Sequence, residues 1–546
     1  MTKIRQPIIT VCGHVDHGKC IAGETIIPLI DGTLITAKNL FENNFDQKEA
    51  KKIEDGVLQE IINKNINIFS FDGKNIIKKP ISHIWKRQAE RLIEIKIAGG
   101  DVIKTTPEHP FFLFGIEKLK EARADKINEG DSIAIPRIIR LESSQIEPIL
   151  IKRIAELNNF VCFITENMYE KLESLINKKY KESEKKWAIK NLRENINKKS
   201  FRIRDLFKII KNLSITDEYA YNNIVSIKNA SEGWRAGHTR KPLVITRDYN
   251  HENLGYIIGC IAGDGHISKT NVILNNNDKE IQEAYKQYLK EIFGLECKTK
   301  KGHTCEITID NGGTTFVRFF TDIIGFPKKE KSAKIEVPEI ARKNKDIFKG
   351  FFAGLFDTDG YVSHINNSIE VTSKSRRMLA QCSILLLQFG VQSVIFEKNG
   401  YYTLRIANKK YLDCFIQTFK PRLKRKTERI INALAKSESS RIFDFFPIEG
   451  KILKELEMNR KINKKIPYFS KYIKSSQLSI QFIESTLNNI KKTNKLSINL
   501  KSLLEREVQY VKVVSVKEVI NKEGYVYDFT VPETHNFVAE GIIIHN

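Results

Sequence analysis

Cys20 is the first residue whose setting suggests chemistry. It follows Gly13-His14-Val15-Asp16-His17-Gly18-Lys19, the front of a phosphate-cradling G-x-x-x-x-G-K loop, and stands where that loop requires Ser or Thr. Backbone N–H groups of such a loop hold phosphate, its Lys neutralises it, and its hydroxyl binds Mg²⁺. The β-branched run Pro7 to Val11 leads into the glycines, the strand-to-loop context the motif needs. With the hydroxyl and the following helix missing, Gly13, Gly18 and Lys19 are half of a nucleotide site and hold no nucleotide as they stand. A thiol directly after the Lys19 carbonyl can instead attack it, exchanging an amide for a thioester. At the far end stands His545-Asn546. The Asn546 side-chain amide can close onto its own backbone carbonyl as a succinimide, with His545 as proton donor.

A second chemistry lies mid-chain. Leu254 to Gly265 and Phe348 to Gly360 are apolar, helix-like stretches ending in Asp-Gly, and their aspartates, Asp264 and Asp359, are 95 residues apart (359 − 264). A repeat of this size implies two pseudo-symmetric lobes. Gly259, Gly263, Ala353 and Gly354 allow the two helices to approach closely. Each aspartate would then sit at a helix C-terminus, where its charge opposes the helix dipole unless a cation is present, and carboxylate with free backbone carbonyls suits Mg²⁺.

The elements that must position these groups can be read from composition and pattern. The chain of 546 residues is 41% hydrophobic, enough for several domains with real cores. No run of about 18 apolar residues and no signal-peptide core occurs, so a cytoplasmic location without membrane contact is expected. Eight cysteines lack any C-x-x-C rhythm, and only Cys20 has a reactive context. A formal charge of +24, from 90 Lys and Arg against 66 Asp and Glu, favours a polyanionic partner. Residues 20–140 read as short strands and turns; 141–249 as basic helices with aromatics among the cations, as in Lys185-Lys186-Trp187 and Lys199-Ser200-Phe201-Arg202; 441–504 as Lys-rich helices closing the second lobe.

Several stretches carry a family resemblance. R-Q-P-I-I-T-V-C-G-H-V-D-H-G-K resembles the opening of translation initiation GTPases of the archaeal initiation factor two (five B) class, yet no N-K-x-D guanine-reading motif occurs later. C-I-A-G-E-T at Cys20, T-P-E-H at Thr106 to His109, and V-Y-D-F-T-V-P-E-T-H-N-F-V-A-E-G-I-I-I-H-N at the end resemble the four splicing blocks of inteins, which are self-excising insertions with an all-β Hint fold. The resemblance implies that Thr106 and His109 hydrogen-bond and destabilise the Lys19–Cys20 junction, that Asp528 lies near the Cys20 thiol, and that His535 lies near the Asn546 side chain. The two Asp-Gly stretches resemble the paired LAGLIDADG motifs of homing endonucleases, which implies an α/β (α+β), pseudo-two-fold nuclease with Asp264 and Asp359 as its metal carboxylates. Where that family places a Lys, three residues before Pro338, this chain has Ile335, with Lys334 and Lys331 nearby.

The expected organisation is a host fragment (1–19), the N-terminal half of a splicing domain (20–140), a basic, candidate DNA-recognition insert (141–249), the endonuclease (250–440), a helical return segment (441–504) and the C-terminal half of the splicing domain (505–546). The expected function is self-excision that ligates the flanks of an initiation GTPase, with a monomeric chain carrying a Mg²⁺-dependent nuclease for double-stranded DNA of the uninterrupted host gene. Splicing itself needs no cofactor, and GTP would bind only the ligated host. The alternatives are an insert that grips DNA without cutting it, and a GTP-binding translation factor, which the missing N-K-x-D disfavours. Ligation needs a nucleophile directly after Asn546 and the restored phosphate loop needs Ser or Thr after Lys19, so the next codon of the gene is expected to encode Thr; any residue other than Thr or Ser there would overturn the phosphate-loop reading.

Overall fold

The structure, a computed structural model, describes residues 19–179, 200–230, 242–245, 248–309, 313–436, 445–455, 474–490 and 494–546, together with 443 and 472. Gly13, Gly18, the run Pro7 to Val11 and the Lys185-Lys186-Trp187 cluster lie outside them. The chain divides into two compact units, one of residues 1–27, 35–136 and 445–546, the other of 28–34 and 137–444. No helix among the described residues is long and apolar enough to cross a membrane.

The first unit is built on a 13-stranded sheet that both ends of the chain enter. Ile21–Ala22 is hydrogen-bonded on one side to Val102–Thr105 and on the other to Tyr525–Thr530, with Ile21 opposite Thr105 and Tyr527. Ile-rich alternation builds these strands: Arg91–Ile97 buries Ile93, Ile95 and Ile97 on one face and leaves Lys96 exposed on the other, where Leu92 is also buried. The strand Val508–Ile520 is long enough to pair with Ser132–Pro136 at its start and Arg91–Ile97 further on, with an irregularity between Val513 and Ser515 where it changes partner. Asn536–Ala539 and Ile542–His545 form a hairpin that joins the sheet through Phe111 opposite Ile544.

In the second unit, helices α1 (His251–Ala262) and α2 (Lys345–Asp359) pack against each other backbone to backbone. A Cβ added at Gly259 would lie 2.1 Å from the Phe351 carbonyl, and one at Gly354 would lie 2.4 Å from that of Tyr256. Only glycine permits this approach, and Gly255 and Gly350 extend it toward the helix starts. Gly263, expected in the seam, lies in it: a Cβ there would be 2.2 Å from the Thr358 hydroxyl of α2. Each helix leads into a four-stranded antiparallel sheet of the same order. In the first lobe Gly265–Ile267, Val272–Asn275, Glu306–Ile309 and Cys297–Lys300 are adjacent in turn; in the second, Gly360–Ser363, Ser368–Ser373, Tyr401–Ala407 and Val394–Lys398. The repeat read from the two Asp-Gly stretches is therefore a repeat of whole α/β lobes.

Two expectations need amendment. Residues 141–249 contain the expected helices (Glu147–Ala155, Glu166–Lys179, Ile203–Asn212, Asp217–Asn222) but also a four-stranded sheet of Ser200–Arg202, Phe160–Ile164, Ile224–Asn229 and Leu243–Val244. F-V-C-F-I buries alternate residues as a strand does, and Phe201, counted among cation-flanked aromatics, is a core residue 2% exposed. Residues 445–504, expected to close the second lobe, group with the splicing sheet: the Phe446 ring lies 6.1 Å from Tyr510 and 6.5 Å from Phe114.

Because the α1–α2 seam has no room for a side chain, Gly354→Val should destabilise the second unit by about 3 kcal/mol or more, as overpacking does. Calorimetric unfolding would register this as a lowered transition, and an unchanged one would refute the close approach.

Candidate functional site

The first site is assembled where Ile21–Ala22 enters the sheet. Cys20 is 1% exposed. Its backbone nitrogen, the nitrogen of the Lys19–Cys20 peptide, donates to the Thr106 hydroxyl at 3.0 Å, while the Thr106 backbone N–H donates to the Cys20 carbonyl at 2.9 Å. Thr106 thus grips the residue after the junction from both sides. One step along the antiparallel register from Ile21 opposite Tyr527 sets Asp528 level with Cys20. Burial first, and then the Asp528 charge, push the Cys20 thiol well above its usual range, with Arg87 pulling the other way. Cys20 is accordingly held as a thiol.

His109 comes one turn after Thr106, its N–H donating to the Thr106 carbonyl at 3.1 Å. It is 0% exposed, and neither ring nitrogen has a hydrogen-bond partner among the described residues. The expected hydrogen bond from this ring to the junction is not formed, so Thr106 alone supplies that contact. Burial, reinforced by the charges of His545 and Lys19, holds the imidazole neutral, down to about 3. The residues that feel one another here therefore come from both ends of the chain.

At the C-terminal end, the Asn546 backbone nitrogen donates to the His535 carbonyl at 3.1 Å and its Nδ2 to the Phe529 carbonyl at 3.0 Å. Asn546 Oδ1 is buried with no hydrogen-bond partner among the described residues. The His535 and His545 rings lie parallel, 6.4 Å apart at 12°. His535 sits at φ 48°, an unfavourable left-handed conformation for a residue with a Cβ. A residue that sequence reasoning missed accompanies it: Asn536, 4% exposed, forms four side-chain hydrogen bonds around this turn.

The second site lies at the ends of α1 and α2. Burial and the Asp264 charge raise the Asp359 carboxyl to about 6, and burial raises Asp264 although Asn276 Nδ2 donates to it at 2.7 Å. The helix-end carbonyls, expected to be free for Mg²⁺, are taken by lysines. Lys331 Nζ donates to the carbonyls of Ile261, Ala262, Gly263 and Gly265 at 2.6, 3.0, 3.2 and 2.5 Å, and Lys426 Nζ to those of Phe356, Asp357 and Gly360 at 2.8, 2.7 and 2.6 Å. An ammonium at a helix C-terminus answers both the unpaired carbonyls and the dipole. Burial lowers both ammonium groups to about 8. Ile335, where the resemblance expects Lys, is 1% exposed with its carbonyl bonded to the Ser375 hydroxyl at 2.6 Å, so the cation comes from four residues earlier. Lys426 was missed, although a signal existed: each lysine comes 67 residues after its aspartate (331 − 264 and 426 − 359). Asp357 accepts from the Tyr256 hydroxyl at 2.9 Å and the Arg422 backbone N–H at 2.7 Å.

With Cys20 just before Ile21–Ala22 and Asn546 just after Ile542–His545, the two residues stand at strand ends of one sheet, the arrangement that an autoprocessing domain needs. The family model of the intein splicing domain matches residues 41–546, and the chain belongs to that family. Over its whole length the chain is 29% identical to Elongation factor 2 of Methanopyrus kandleri, of which it covers 43%, and 28% identical to a probable translation initiation factor IF-2 of Thermococcus kodakarensis, of which it covers 50%. It spans about half the length of the curated relatives it matches. Among solved structures it is similar to the TvoVMA intein (25% identity, 22% of this chain and 71% of that one, TM-score 0.21) and to I-DmoI in complex with DNA and Mn (17% identity, 31% and 97%, TM-score 0.25).

The neutral, buried His109 makes stability depend on pH. Its ring binds a proton near 6.5 when unfolded and only near 3 when folded, so the unfolded state takes up more protons and stability falls as pH drops below about 6.5. The loss should reach about 2 kcal/mol at pH 5. Urea unfolding at pH 7 and pH 5 should show this difference in the unaltered chain and not in His109→Gln; equal differences in both would contradict it.

Proposed function

We propose that the chain excises itself from a host protein. The observation that carries this reading is the common environment of the two junctions: Thr106 holds Cys20, and His109 beside Thr106 feels Lys19 and His545, the neighbours of the two scissile bonds. In the first step Cys20 Sγ bonds to the Lys19 carbonyl carbon, the C–N bond breaks, and the thiol proton ends on the freed Cys20 nitrogen. Asp528 would accept that proton, and His109 would pass one to the departing nitrogen through its ring, taking up a proton at one nitrogen as it gives one from the other. In the last step Asn546 Nδ2 bonds to its own carbonyl carbon, closes the succinimide and releases the downstream flank, with His535 and His545 relaying the proton. Neither step consumes a cofactor.

The host is a translation initiation GTPase interrupted in its phosphate loop. The K-C junction and the IF-2 relatives support this, and Gly13, Gly18 and Lys19 would bind GTP only after ligation. The second unit is a LAGLIDADG-type homing endonuclease acting on double-stranded DNA. Two carboxylates with raised affinity for protons, one of them raised by the charge of the other, form a site that a divalent cation fits, and Asp264 and Asp359 would hold Mg²⁺, which would supply charge for the scissile phosphates. The lysines fix the helix ends that carry these carboxylates. The net charge of +24 suits the DNA partner.

Treating the purified chain with a small thiol should release residues 1–19, and Cys20→Ala should abolish that release; continued release would overturn the assignment of Cys20. Incubated with Mg²⁺ and a plasmid carrying the uninterrupted host gene, the unaltered chain should cut and Asp359→Asn should not, whereas retention without nicking would establish a DNA-binding, inactive insert.

A further inference from the structure

The Asn546 end is held by a turn that does not hold itself. Asn546 has two anchors, the His535 carbonyl for its backbone nitrogen and the Phe529 carbonyl for Nδ2, and these flank the segment Val531 to His535. Within that segment Glu533 (φ 69°) and His535 (φ 48°) are both left-handed without being glycine. Its own backbone hydrogen bonds, Thr534 N–H to the Pro532 carbonyl at 2.8 Å and His535 N–H to the Val531 carbonyl at 3.2 Å, are a tight closure and a long one. Conformations of this kind persist only where surrounding structure enforces them.

The enforcement comes from Asn536. Its Oδ1 accepts from the Phe71 backbone N–H at 2.7 Å and from the Ser70 hydroxyl at 3.1 Å. Its Nδ2 donates to the Phe71 carbonyl at 2.8 Å and to the Thr534 carbonyl at 2.7 Å. All four hydrogen-bonding positions of the carboxamide are used. Toward Phe71 the amide behaves as another strand would, taking both N–H and C=O, and so fastens the turn to the hairpin of Asn67–Phe71 and Ile76–Pro80. The Ser70 hydroxyl also lies 2.7 Å from Thr534 Oγ1. Asn536 in turn faces His545 across the last hairpin.

We propose that Asn536 is a positioning residue for release at Asn546: by clamping the Val531 to His535 turn onto Ser70 and Phe71, it sets the two carbonyls that aim the Asn546 carboxamide at its own backbone carbonyl. The side chain touches no reacting atom. Its effect is confined to the C-terminal step, because the Cys20 junction is held by Thr106 from a different strand. The inference rests on the excision reading.

The test uses the full chain carrying a short peptide after Asn546, with release of that peptide and thiol-induced release of residues 1–19 monitored in parallel. Asn536→Ala should slow peptide release tenfold or more and leave thiol-induced release within twofold. Ser70→Ala, which removes one of the four bonds, should slow it two- to fivefold. Glu533→Gly in the Asn536→Ala background should recover part of the lost rate, since glycine adopts the left-handed conformation without the clamp; a residue that merely supported the core would not be rescued in this way. Unaltered peptide release in Asn536→Ala, or absence of rescue by glycine, overturns the proposal. If Asn536→Ala loses both cleavages, Ser70→Ala decides: selective slowing supports the clamp, and equal loss of both cleavages, or none, refutes it. Asn546→Ala is the control for the underlying reading, because peptide release that survives it would refute cyclisation whatever Asn536 does.

Discussion

The pairing of Ile21 with Thr105 on one side and Tyr527 on the other is the constraint on which the first unit depends. A two-residue strand contributes few hydrogen bonds of its own, and it is stable because the two strands beside it belong to a large sheet with an apolar, Ile-rich interior. Its placement brings a residue near position 20 and a residue near position 528 to the same level of one sheet. Everything between them can then be an excursion, and the second unit leaves the sheet after Pro136 and the chain returns to it from Phe445.

The second unit depends on a different economy of space. α1 and α2 meet where Gly255, Gly259, Gly350 and Gly354 leave backbone against backbone, so the helix ends converge and the Asp264 charge raises the Asp359 carboxyl. Convergence also crowds unpaired carbonyls, and each helix end is answered by one buried ammonium. Carboxylate and lysine compete for neither hydrogen bonds nor position: the lysine takes the carbonyls, and the carboxylate is left facing its counterpart. Asp357, two residues before Asp359, ties Tyr256 of the first lobe to Arg422 of the second.

How much of this was legible depends on the range of the interactions involved. Junction residues, the short strands of residues 20–140 and the two Asp-Gly helices are local patterns, and the sequence displays them as alternation, spacing and repeat. The sheet through Phe160–Ile164 was obscured because lysine clusters drew the reading toward solvated helices, although F-V-C-F-I alternates as a strand. Lys426 was hidden because its partners are 66 to 70 residues away, although the shared interval of 67 residues marked it. Asn536 left no local trace: its bonds reach Phe71, 465 residues earlier, and one Asn after a His says nothing of a partner so distant. His109 was identified, but its lack of a ring hydrogen bond results from burial that no short motif encodes.

Burial also settles how the first site stores its reactivity. A charged group sealed from water is costly unless paired, and the fold avoids that cost by holding Cys20 as a thiol and His109 as a neutral imidazole. Neither group is ionised at rest, so in the proposed excision a proton would leave Cys20 as its sulfur attacks rather than beforehand. Asp528, level with the thiol across the strand pair, raises the thiol's affinity for its proton through its negative charge and is for the same reason attractive to that proton once it departs. In the proposed excision one carboxylate would therefore both restrain the nucleophile and receive its proton, which would tie the onset of cleavage to the geometry of the junction that Thr106 holds.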